Sequence, residues 1–468
     1  MPIKFYDTYS RQLEIFTPIA PPQVKIYTCG PTVYSFAHIG NFRAYVFEDL
    51  LQRHLEARGF QVERVMNLTD VDDKTIRGSR EAGISLPEFT AKFKKSFFED
   101  IESLRIKRAA YFPAATEPEN LAKMIEMIDQ LLQQEIAYQA EDRSIYFRIS
   151  KYPDYGKLAH LNLAELRPTG RIQSDEYEKE SIGDFALWKA WDEKDGPVGW
   201  ETPWGKGRPG WHIECSAMAT RILGPEIDIH CGGVDNIFPH HEAEIAQSEC
   251  VNRKKFVRYW LHNAHLLVEG QKMSKSLGNF FTLRDLLDKG FSGRELRYAL
   301  LRVNYRLPLN FTFDGLREAR QSLLRIDEWI RRLQDIAGNA AVDSEYAPAK
   351  SEKFFEALDD DLNISAALAE VFNQIRETNG SIDRNELTAR QAAALLQWWL
   401  RINQVLQLQE ESESVPQQVT ALLEKRAEVR AGRNWPQSDA LRSEIETFGW
   451  LVKDTKDGQK LTRKTGQP

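Results

Sequence analysis

The stretch that decides the fold is Val24-Lys25-Ile26-Tyr27-Thr28-Cys29, an apolar run with the character of a short β strand, closed by Gly30. Residues 41–58 follow with apolar side chains at helical spacing, and residues 61–67 are predicted to form a second strand. Strand, helix and strand in this order predict a βαβ unit, whose parallel strands end at one edge of a sheet where ligands bind. We expect Cys29, Gly30 and Thr69 to lie on that edge.

The rest of the chain predicts one α/β domain interrupted by an insertion and followed by helices. Strand character returns at residues 227–230, after a stretch rich in Gly, Pro and Trp (154–209) that predicts an irregular insertion. Periodic apolar positions beyond Gly293 predict a helix bundle, and a polar linker precedes a small C-terminal module. The predicted domains are 1–105 (first half of a Rossmann-type catalytic domain), 106–205 (connective insertion), 206–292 (second half), 293–408 (helical bundle) and 415–468 (C-terminal module).

Composition limits the class of protein. Hydrophobic residues make up 42% and charged residues 28% of the 468 positions, which is typical of a globular protein. The apolar runs are too short for a membrane helix, and the first residues have no apolar signal core, so we expect a cytoplasmic protein without membrane contact. Four cysteines in so long a chain do not make a disulfide framework. The net charge of −7 excludes a generally basic nucleic-acid binder but allows local basic patches.

Two cysteines, a histidine and a glutamate form a candidate metal site. His240 and Glu244 are four residues apart and share one face of a predicted helix. Cys215 and Cys29 would add two thiolates, and Zn²⁺ takes sulfur, imidazole and carboxylate ligands in tetrahedral geometry. Spacing alone leaves two alternatives open: Cys231 could be a ligand, or the cysteines could be buried apolar residues beside a helix-surface pair.

A candidate nucleotide site comes from two distant motifs. His38-Ile39-Gly40-Asn41 places an imidazole and a glycine at the start of a predicted helix, whose N-terminal amides attract anions. Lys272-Met273-Ser274-Lys275-Ser276 places two ammonium groups on a predicted loop. Together they predict a site for a triphosphate, with the lysines stabilising the charge that develops on the phosphates. The sequence has no GxxxxGK[ST] motif, so a P-loop ATPase is not indicated.

These motifs, in this order, resemble the cysteinyl-tRNA synthetase family, a class I family. The resemblance runs along the whole chain and is strongest from Val24 to about Asn310. The motifs that carry it are Cys29-Gly30-Pro31-Thr32-Val33-Tyr34, His38-Ile39-Gly40-Asn41, Asn67-Leu68-Thr69-Asp70-Val71-Asp72-Asp73-Lys74, Gly207-Arg208-Pro209-Gly210-Trp211-His212-Ile213-Glu214-Cys215, Phe238-Pro239-His240-His241-Glu242 and Lys272-Met273-Ser274-Lys275-Ser276.

The resemblance implies a Rossmann-type catalytic domain with an insertion, a helical stem-contact region and an anticodon-binding module. It also assigns roles to residues of this chain. The implied set comprises one Zn²⁺ on Cys29, Cys215, His240 and Glu244; cysteine contacts from Gly30, Thr69 and Trp211; ATP contacts from Gly40, Asp235 and Lys275; and catalytic roles for His38, Asn41, Lys272 and Lys275. The chain departs from the family pattern at Asn41, where the general signature has a second histidine, at Cys231, in what is usually a glycine-rich loop, and near its C-terminus.

The function implied is ATP-dependent attachment of cysteine to tRNA(Cys) through a cysteinyl-adenylate, with zinc selecting the thiol and Mg²⁺ accompanying ATP. We expect a monomer, with tRNA contacts from Arg430, Arg433 and Trp435. Two alternatives share parts of the site: a ligase joining activated cysteine to an amino sugar, and a non-catalytic zinc- and RNA-binding paralogue. The former would not need the C-terminal module, and the lysines and His38 argue against the latter.

Overall fold

The computed structural model describes residues 2–161, 167–172, 181–274, 277–410, 416–455 and 458–463. The chain divides into two compact units, Met1–Leu408 and Gln409–Pro468. Among the helices in these ranges, none is long and apolar enough to cross a membrane.

The strands are β1 (Lys4–Asp7), β2 (Gln12–Ile15), β3 (Gln23–Thr28), β4 (Gln61–Met66), β5 (Ala137–Gln139), β6 (Ile145–Phe147), β7 (Arg167–Ile172), β8 (Ser181–Ala190), β9 (Gly207–Pro209), β10 (Ile227–Gly233), β11 (Val257–Asn263), β12 (Leu266–Val268), β13 (Gln271–Lys272), β14 (Leu309–Phe311), β15 (Trp450–Thr455) and β16 (Gly458–Arg463).

The α-helices are α1 (Ile39–Ala57), α2 (Asp73–Ala82), α3 (Leu86–Ser103), α4 (Pro118–Gln133), α5 (Trp211–Leu223), α6 (Glu242–Asn252), α7 (Leu283–Asp288), α8 (Gly293–Leu301), α9 (Phe313–Ala337), α10 (Lys353–Asp359), α11 (Ile364–Asp383), α12 (Ala389–Leu406), α13 (Gln417–Ala431) and α14 (Trp435–Thr447). A π-helical turn, Ile237–His241, leads directly into α6.

A four-stranded parallel sheet forms the centre of the first unit. Its strand order is β11-β10-β3-β4, so the βαβ unit predicted from the opening stretch is present as β3, α1 and β4. The crossover from β4 to β10 passes through the whole insertion, and β10 joins the sheet on the other side of β3. The carboxyl ends of β3 and β10 therefore lie side by side, which is where a doubly wound sheet binds its ligands.

The stretch predicted to be irregular, residues 154–209, contributes β7, β8 and β9 among its described residues, so that prediction was wrong for these segments. β5, β6, β8, β7 and β9 form a five-stranded sheet with both parallel and antiparallel pairs. The longest strand, β8, contains Gly183 and Asp184, which weaken its strand pattern. Packing compensates, because Phe185 stacks on Phe147 of β6 with ring centroids 4.9 Å apart. Tertiary contacts, rather than local propensity, define this strand.

Residues 293–408 are mainly helical, as predicted, apart from β14, which pairs in parallel with β12. α8, α9, α11 and α12 share one apolar core with α1 and the central sheet. Arg43 on α1 is 2% exposed and donates hydrogen bonds to the carbonyl groups of Val303 and Asn304 at the end of α8. The helical region thus supports the helix whose first turn faces the ligand edge.

The second unit pairs two helices with a hairpin. α13 and α14 pack together, β15 pairs with β16 in antiparallel register, and a small core contains Val419, Ile445 and Val452. The helices and hairpin agree with the sequence prediction. The five domain boundaries given above remain predictions.

Candidate active site

A cavity of about 580 Å³ opens at the carboxyl ends of β3 and β10. Of the site residues predicted from sequence, all but two line it: Cys29, Gly30, His38, Gly40, Asn41, Thr69, Trp211, Cys215, Asp235, His240 and Lys272. Glu244 lies behind the cavity, fully buried. Lys275 falls outside the described residues.

The four predicted metal ligands converge at the bottom of this cavity. One ligand atom from each of Cys29, Cys215, His240 and Glu244 lies within 4.8 Å of the others. Cys29 directly follows β3, Cys215 is on α5, and the π-helical turn before α6 carries His240. His240 Nε2 forms an ion pair with Glu244 Oε1 on α6 at 3.0 Å. Donor atoms from the end of β3, from α5, from the π-helical turn and from α6 thus meet in one place.

Protons are distributed unevenly over this cluster. Burial raises the pKa of the Cys215 thiol, but the hydrogen bond with Cys29 and the nearby His240 outweigh it and bring that pKa to about 6. The same hydrogen bond, with burial, raises the pKa of Cys29 well above its usual value. Burial also opposes ionisation of Glu244, yet His230 and His240 hold its pKa at about 2. Burial opposes protonation of His240, but Glu244 and Cys215 outweigh it and raise the pKa of that imidazole to about 10. The cluster is therefore a thiol–thiolate pair and a carboxylate beside an imidazolium, and a bound cation would replace the imidazolium proton.

Two further histidines border the cluster, and the sequence analysis did not identify them as candidates. His230 Nε2 lies 2.9 Å from Glu244 Oε2, and His241 Nε2 lies 3.3 Å from Cys29 Sγ. The available signal was the pair His240-His241 itself, together with a histidine inside an otherwise apolar strand. Cys231, which the sequence left open as a ligand, is fully buried on β10 rather than in a loop, and among the described residues it is not part of this donor cluster.

The predicted cysteine contacts are held by a hydrogen-bond network. Asn67 accepts from the Gly30 backbone N–H at 2.9 Å and donates to Thr69 Oγ1 at 3.2 Å. Thr69 donates in turn to the buried carboxylate of Glu214 at 2.9 Å. Gly30 has no room for a side chain, because a Cβ there would lie 1.8 Å from the Asn67 carbonyl oxygen. This wall of the cavity is consequently close and fixed.

The opposite wall begins with the first turn of α1. His38 caps the helix, accepting from the Asn41 backbone N–H at 3.2 Å, while Asn41 Oδ1 accepts from the His38 N–H at 3.0 Å. A Cβ on Gly40 would lie 2.9 Å from His38 Nδ1 and 3.1 Å from Met273 Cε, so a side chain here would crowd first the capping histidine and then the methionine beside Lys272. Lys272, at the end of β13, is exposed and lines the cavity. The two motifs quoted from the sequence thus face the same space.

Comparison with protein families agrees with this architecture. A family model for the class I (C) tRNA synthetase catalytic domain matches residues 15–321. A DALR domain model matches residues 353–408, and a model for the cysteinyl-tRNA ligase anticodon-binding domain matches residues 412–461.

Individual relatives extend the match over the whole chain. The chain is 51% identical to the cysteine–tRNA ligase of Chlamydia felis over 98% of its own length and 97% of that protein. It is 48% identical to the cysteine–tRNA ligase of Protochlamydia amoebophila, over 99% and 98% of the two chains.

Solved structures share the fold at much lower sequence identity. A methionyl-tRNA synthetase from Mycobacterium tuberculosis, in complex with methionyl-adenylate, matches with a TM-score of 0.59 and 14% identity, covering 82% of this chain and 89% of that one. A likeness at this identity supports the Rossmann-type fold alone. On the strength of the catalytic-domain match and the full-length relatives, the chain belongs to the cysteinyl-tRNA synthetase family and is a class I aminoacyl-tRNA synthetase.

Proposed function

We propose that the protein activates L-cysteine with ATP and transfers it to tRNA(Cys), and that one zinc ion held by Cys29, Cys215, His240 and Glu244 selects the substrate thiol. The single observation that carries this proposal is the position of the donor cluster. It lies at the bottom of the cavity whose walls carry the His38 turn and Lys272. A soft-metal donor set and a phosphate-facing wall in one cavity fit a reaction between a thiol-bearing amino acid and a nucleotide.

In the first step, the cysteine carboxylate attacks the α-phosphorus of ATP, forming cysteinyl-adenylate and releasing pyrophosphate. No side chain of the protein needs to act as nucleophile. His38, the amides at the start of α1 and the two lysines, Lys272 and Lys275, would stabilise the charge on the phosphates, and Asp235 would contact the ribose. Because such donors are oriented before the reaction, they favour the transition state over the ground state. Mg²⁺ would enter with ATP.

The fit of zinc rests on the chemistry of the donors. Two cysteines, a histidine and a glutamate form a set that Zn²⁺ accepts, and one ligand atom from each of the four lies within 4.8 Å of the others. When bound, zinc supplies a Lewis-acidic position that takes a substrate thiolate as ligand and lowers the pKa of that thiol. The protein's own contribution is a closely packed pocket. The ring of Trp211 stacks on that of His240 with centroids 4.2 Å apart, which fixes the imidazole.

Selection by sulfur has a physical advantage here. Serine differs from cysteine by one atom, and apolar pocket contacts separate such small differences by only about 10–200-fold. A thiol-specific ligand position removes the need for a separate editing step.

In the second step, the terminal ribose hydroxyl of tRNA takes the cysteinyl group from the adenylate. The match of residues 412–461 to an anticodon-binding domain supports tRNA as the acceptor. On α14, Trp435 is 53% exposed, and the Arg430 guanidinium lies 5.4 Å from its ring centroid. An exposed aromatic ring beside cations is a stacking surface for an unpaired base. Arg430 also pairs with Asp454 at 3.0 Å, so we assign the stacking role to Trp435 and charge contacts to Arg433.

The test is ATP–pyrophosphate exchange with cysteine or serine, followed by AMP release with and without tRNA(Cys). The proposal predicts exchange with cysteine only and AMP release that depends on tRNA. Exchange without tRNA-dependent AMP release would favour a ligase for a different acceptor, such as an amino sugar. No exchange at all would favour a non-catalytic RNA-binding role.

We also propose that the enzyme works as a monomer in the cytoplasm. The four cysteines are all free thiols, which is typical of a reducing compartment. Sedimentation of the pure protein would test whether it is a monomer. Localisation in cells would test whether it lies in the cytoplasm.

A further inference from the structure

A second group of metal donors lies directly behind the predicted zinc ligands. Cys29, His230, His241 and Glu244 each place a ligand atom within 4.8 Å of the others. We name this set the inner group, and the set of Cys29, Cys215, His240 and Glu244 the outer group. The two groups share one thiol and one carboxylate. Cys29, Cys215 and His240 line the cavity, whereas the two inner histidines and Glu244 do not.

The inner histidines are oriented as metal ligands are. His230 Nδ1 faces the Cys231 carbonyl oxygen at 3.3 Å, and its Nε2 faces Glu244 Oε2 at 2.9 Å. His241 Nδ1 contacts His262 Nε2 at 2.8 Å, and its Nε2 faces the Cys29 sulfur at 3.3 Å. Ligating histidines in proteins commonly bond through the second ring nitrogen to a carbonyl or another polar group, which fixes the ring. Both Nε2 atoms therefore point at the ligands that the inner group shares with the outer one.

Packing keeps these rings in place. His230 and His241 are fully buried, and Trp260 stacks on His230 with centroids 4.6 Å apart. His262, which supports His241, is itself held by Thr8 Oγ1 at 2.7 Å. A donor set whose rings are already fixed loses little conformational freedom when an ion binds.

We propose that the inner group is a second binding position for the same divalent cation, an alternative to the outer position and out of contact with the substrate. This inference rests on the proposed zinc site. One thiolate, two imidazoles and a carboxylate form a set that Zn²⁺ accepts. The positions share Cys29 and Glu244, and in this proposal a single ion occupies one or the other. An ion in the inner position is bound but cannot take the substrate sulfur, so loss of Cys215 leaves a metal-loaded enzyme without thiol selection.

The experiment measures zinc per chain by elemental analysis, after dialysis against a mild chelator, in four proteins. They are the parent, Cys215→Ser, His241→Asn and the double variant. Asn retains a polar group near the position of Nδ1 and removes the Nε2 donor. We expect one zinc in the parent and in His241→Asn, one zinc in Cys215→Ser, and a zinc content near zero in the double variant. With Co²⁺ in place of zinc, the sulfur-to-metal absorption of Cys215→Ser should have the intensity of one thiolate instead of two.

The outcomes separate the two proposals. A parent that holds no zinc overturns the proposed function, and the inner position with it. If the parent holds one zinc but Cys215→Ser holds as little zinc as the double variant, the inner position alone is overturned and the proposed function stands. Loss of zinc from His241→Asn by itself would make that histidine part of a single site, which also overturns the proposal. Circular dichroism confirms that each variant is folded, and His230→Asn replaces His241→Asn in the same scheme if the latter does not fold.

Discussion

The floor and the rim of the cavity contribute to the reaction in different ways. The floor consists of Cys29, Cys215, His240 and Glu244, and three of these side chains are at most 1% exposed. The rim consists of His38, Asn41 and Lys272, the last of which is exposed. Buried donors act on a substrate through strong, short-range contacts, whereas an exposed ammonium acts on charge that is present only when ATP is bound. The floor should therefore determine which amino acid is used, and the rim how fast it is activated.

The largest effect is expected on the floor. Cys215→Ser should lower zinc affinity, but the variant should still retain zinc under mild chelation, because the inner group keeps a full donor set. The preference for cysteine over serine should fall to the range of about 10–200-fold that apolar contacts provide. Metal titration and exchange kinetics with both amino acids measure these quantities. A variant that binds zinc and cysteine as tightly as the parent would contradict selection by the metal.

Substitutions in the rim should lower the rate of cysteine activation without changing zinc content. Lys272→Ala should reduce cysteine-dependent pyrophosphate exchange by about 10²–10³, the scale of losing one oriented charge donor, and Lys275→Ala should do the same. Zinc content should stay at the parent level in both. Lys289, exposed beyond α7, provides the matched control, and Lys289→Ala should leave the exchange rate unchanged. If a lysine variant lost zinc as well as exchange activity, the floor and the rim would not act independently.

Glu48 lies on α1, the helix that carries the rim at its start, and its charge adds to the hydrogen bond with Cys215 and to burial in raising the pKa of Cys29. Burial raises the pKa of Glu48 itself to about 7, and the nearby Arg64 lowers it only in part. In the unfolded chain a glutamate titrates near pH 4.3. Between these values the folded protein binds more protons, so the free energy of unfolding decreases as pH rises through this interval and is constant above it.

Glu48→Gln should remove this decrease in the free energy of unfolding. The decrease amounts to about 3 kcal/mol at pH 8 relative to pH 4. Urea unfolding of parent and variant at both pH values gives the difference. Glu102→Gln, at an exposed position on α3, is the control and should show none. If the free energy of unfolding depended on pH equally in Glu48→Gln and in the parent, the Glu48 carboxyl would not be the cause of that dependence.

The smallest effect is expected in the second unit. Trp435→Ala should weaken the binding of tRNA(Cys) by about 1 kcal/mol, which is the lower end of the range for stacking of one base. This corresponds to a roughly fivefold increase in KM for tRNA. Pyrophosphate exchange, which needs no tRNA, should be unchanged. Phe448→Ala, an exposed aromatic position just beyond α14, is the comparison variant. A change in exchange rate would show that the substitution acts through folding instead of tRNA contact.

The sequence predicted the central fold better than the insertion. The unit of β3, α1 and β4 has contiguous signals, because an apolar strand, a capped helix and a second strand follow one another. The insertion's sheet joins strands far apart in sequence, and β8 contains glycine and aspartate, so only its packing partners stabilise it.

The site was predicted unequally as well. Residue spacing left zinc open, since Cys29 lies far along the chain from the other three donors, and the resemblance to a family supplied the set. Folding brings those donor atoms together, which agrees with that prediction, while metal binding itself stays a prediction. His230 was missed because a single histidine on a strand has no spacing signal of its own, and His241 because the spacing argument used only its neighbour His240.

The most direct test of the central claim compares the metal-loaded protein with the same protein after zinc removal. Cysteine- and serine-dependent ATP–pyrophosphate exchange are measured on both, and zinc is then restored. The account predicts that removal abolishes most cysteine activation, that the preference over serine is lost with it, and that added zinc recovers both. A metal-free protein that activates cysteine at the original rate, or a metal-loaded one that activates serine equally well, would contradict it.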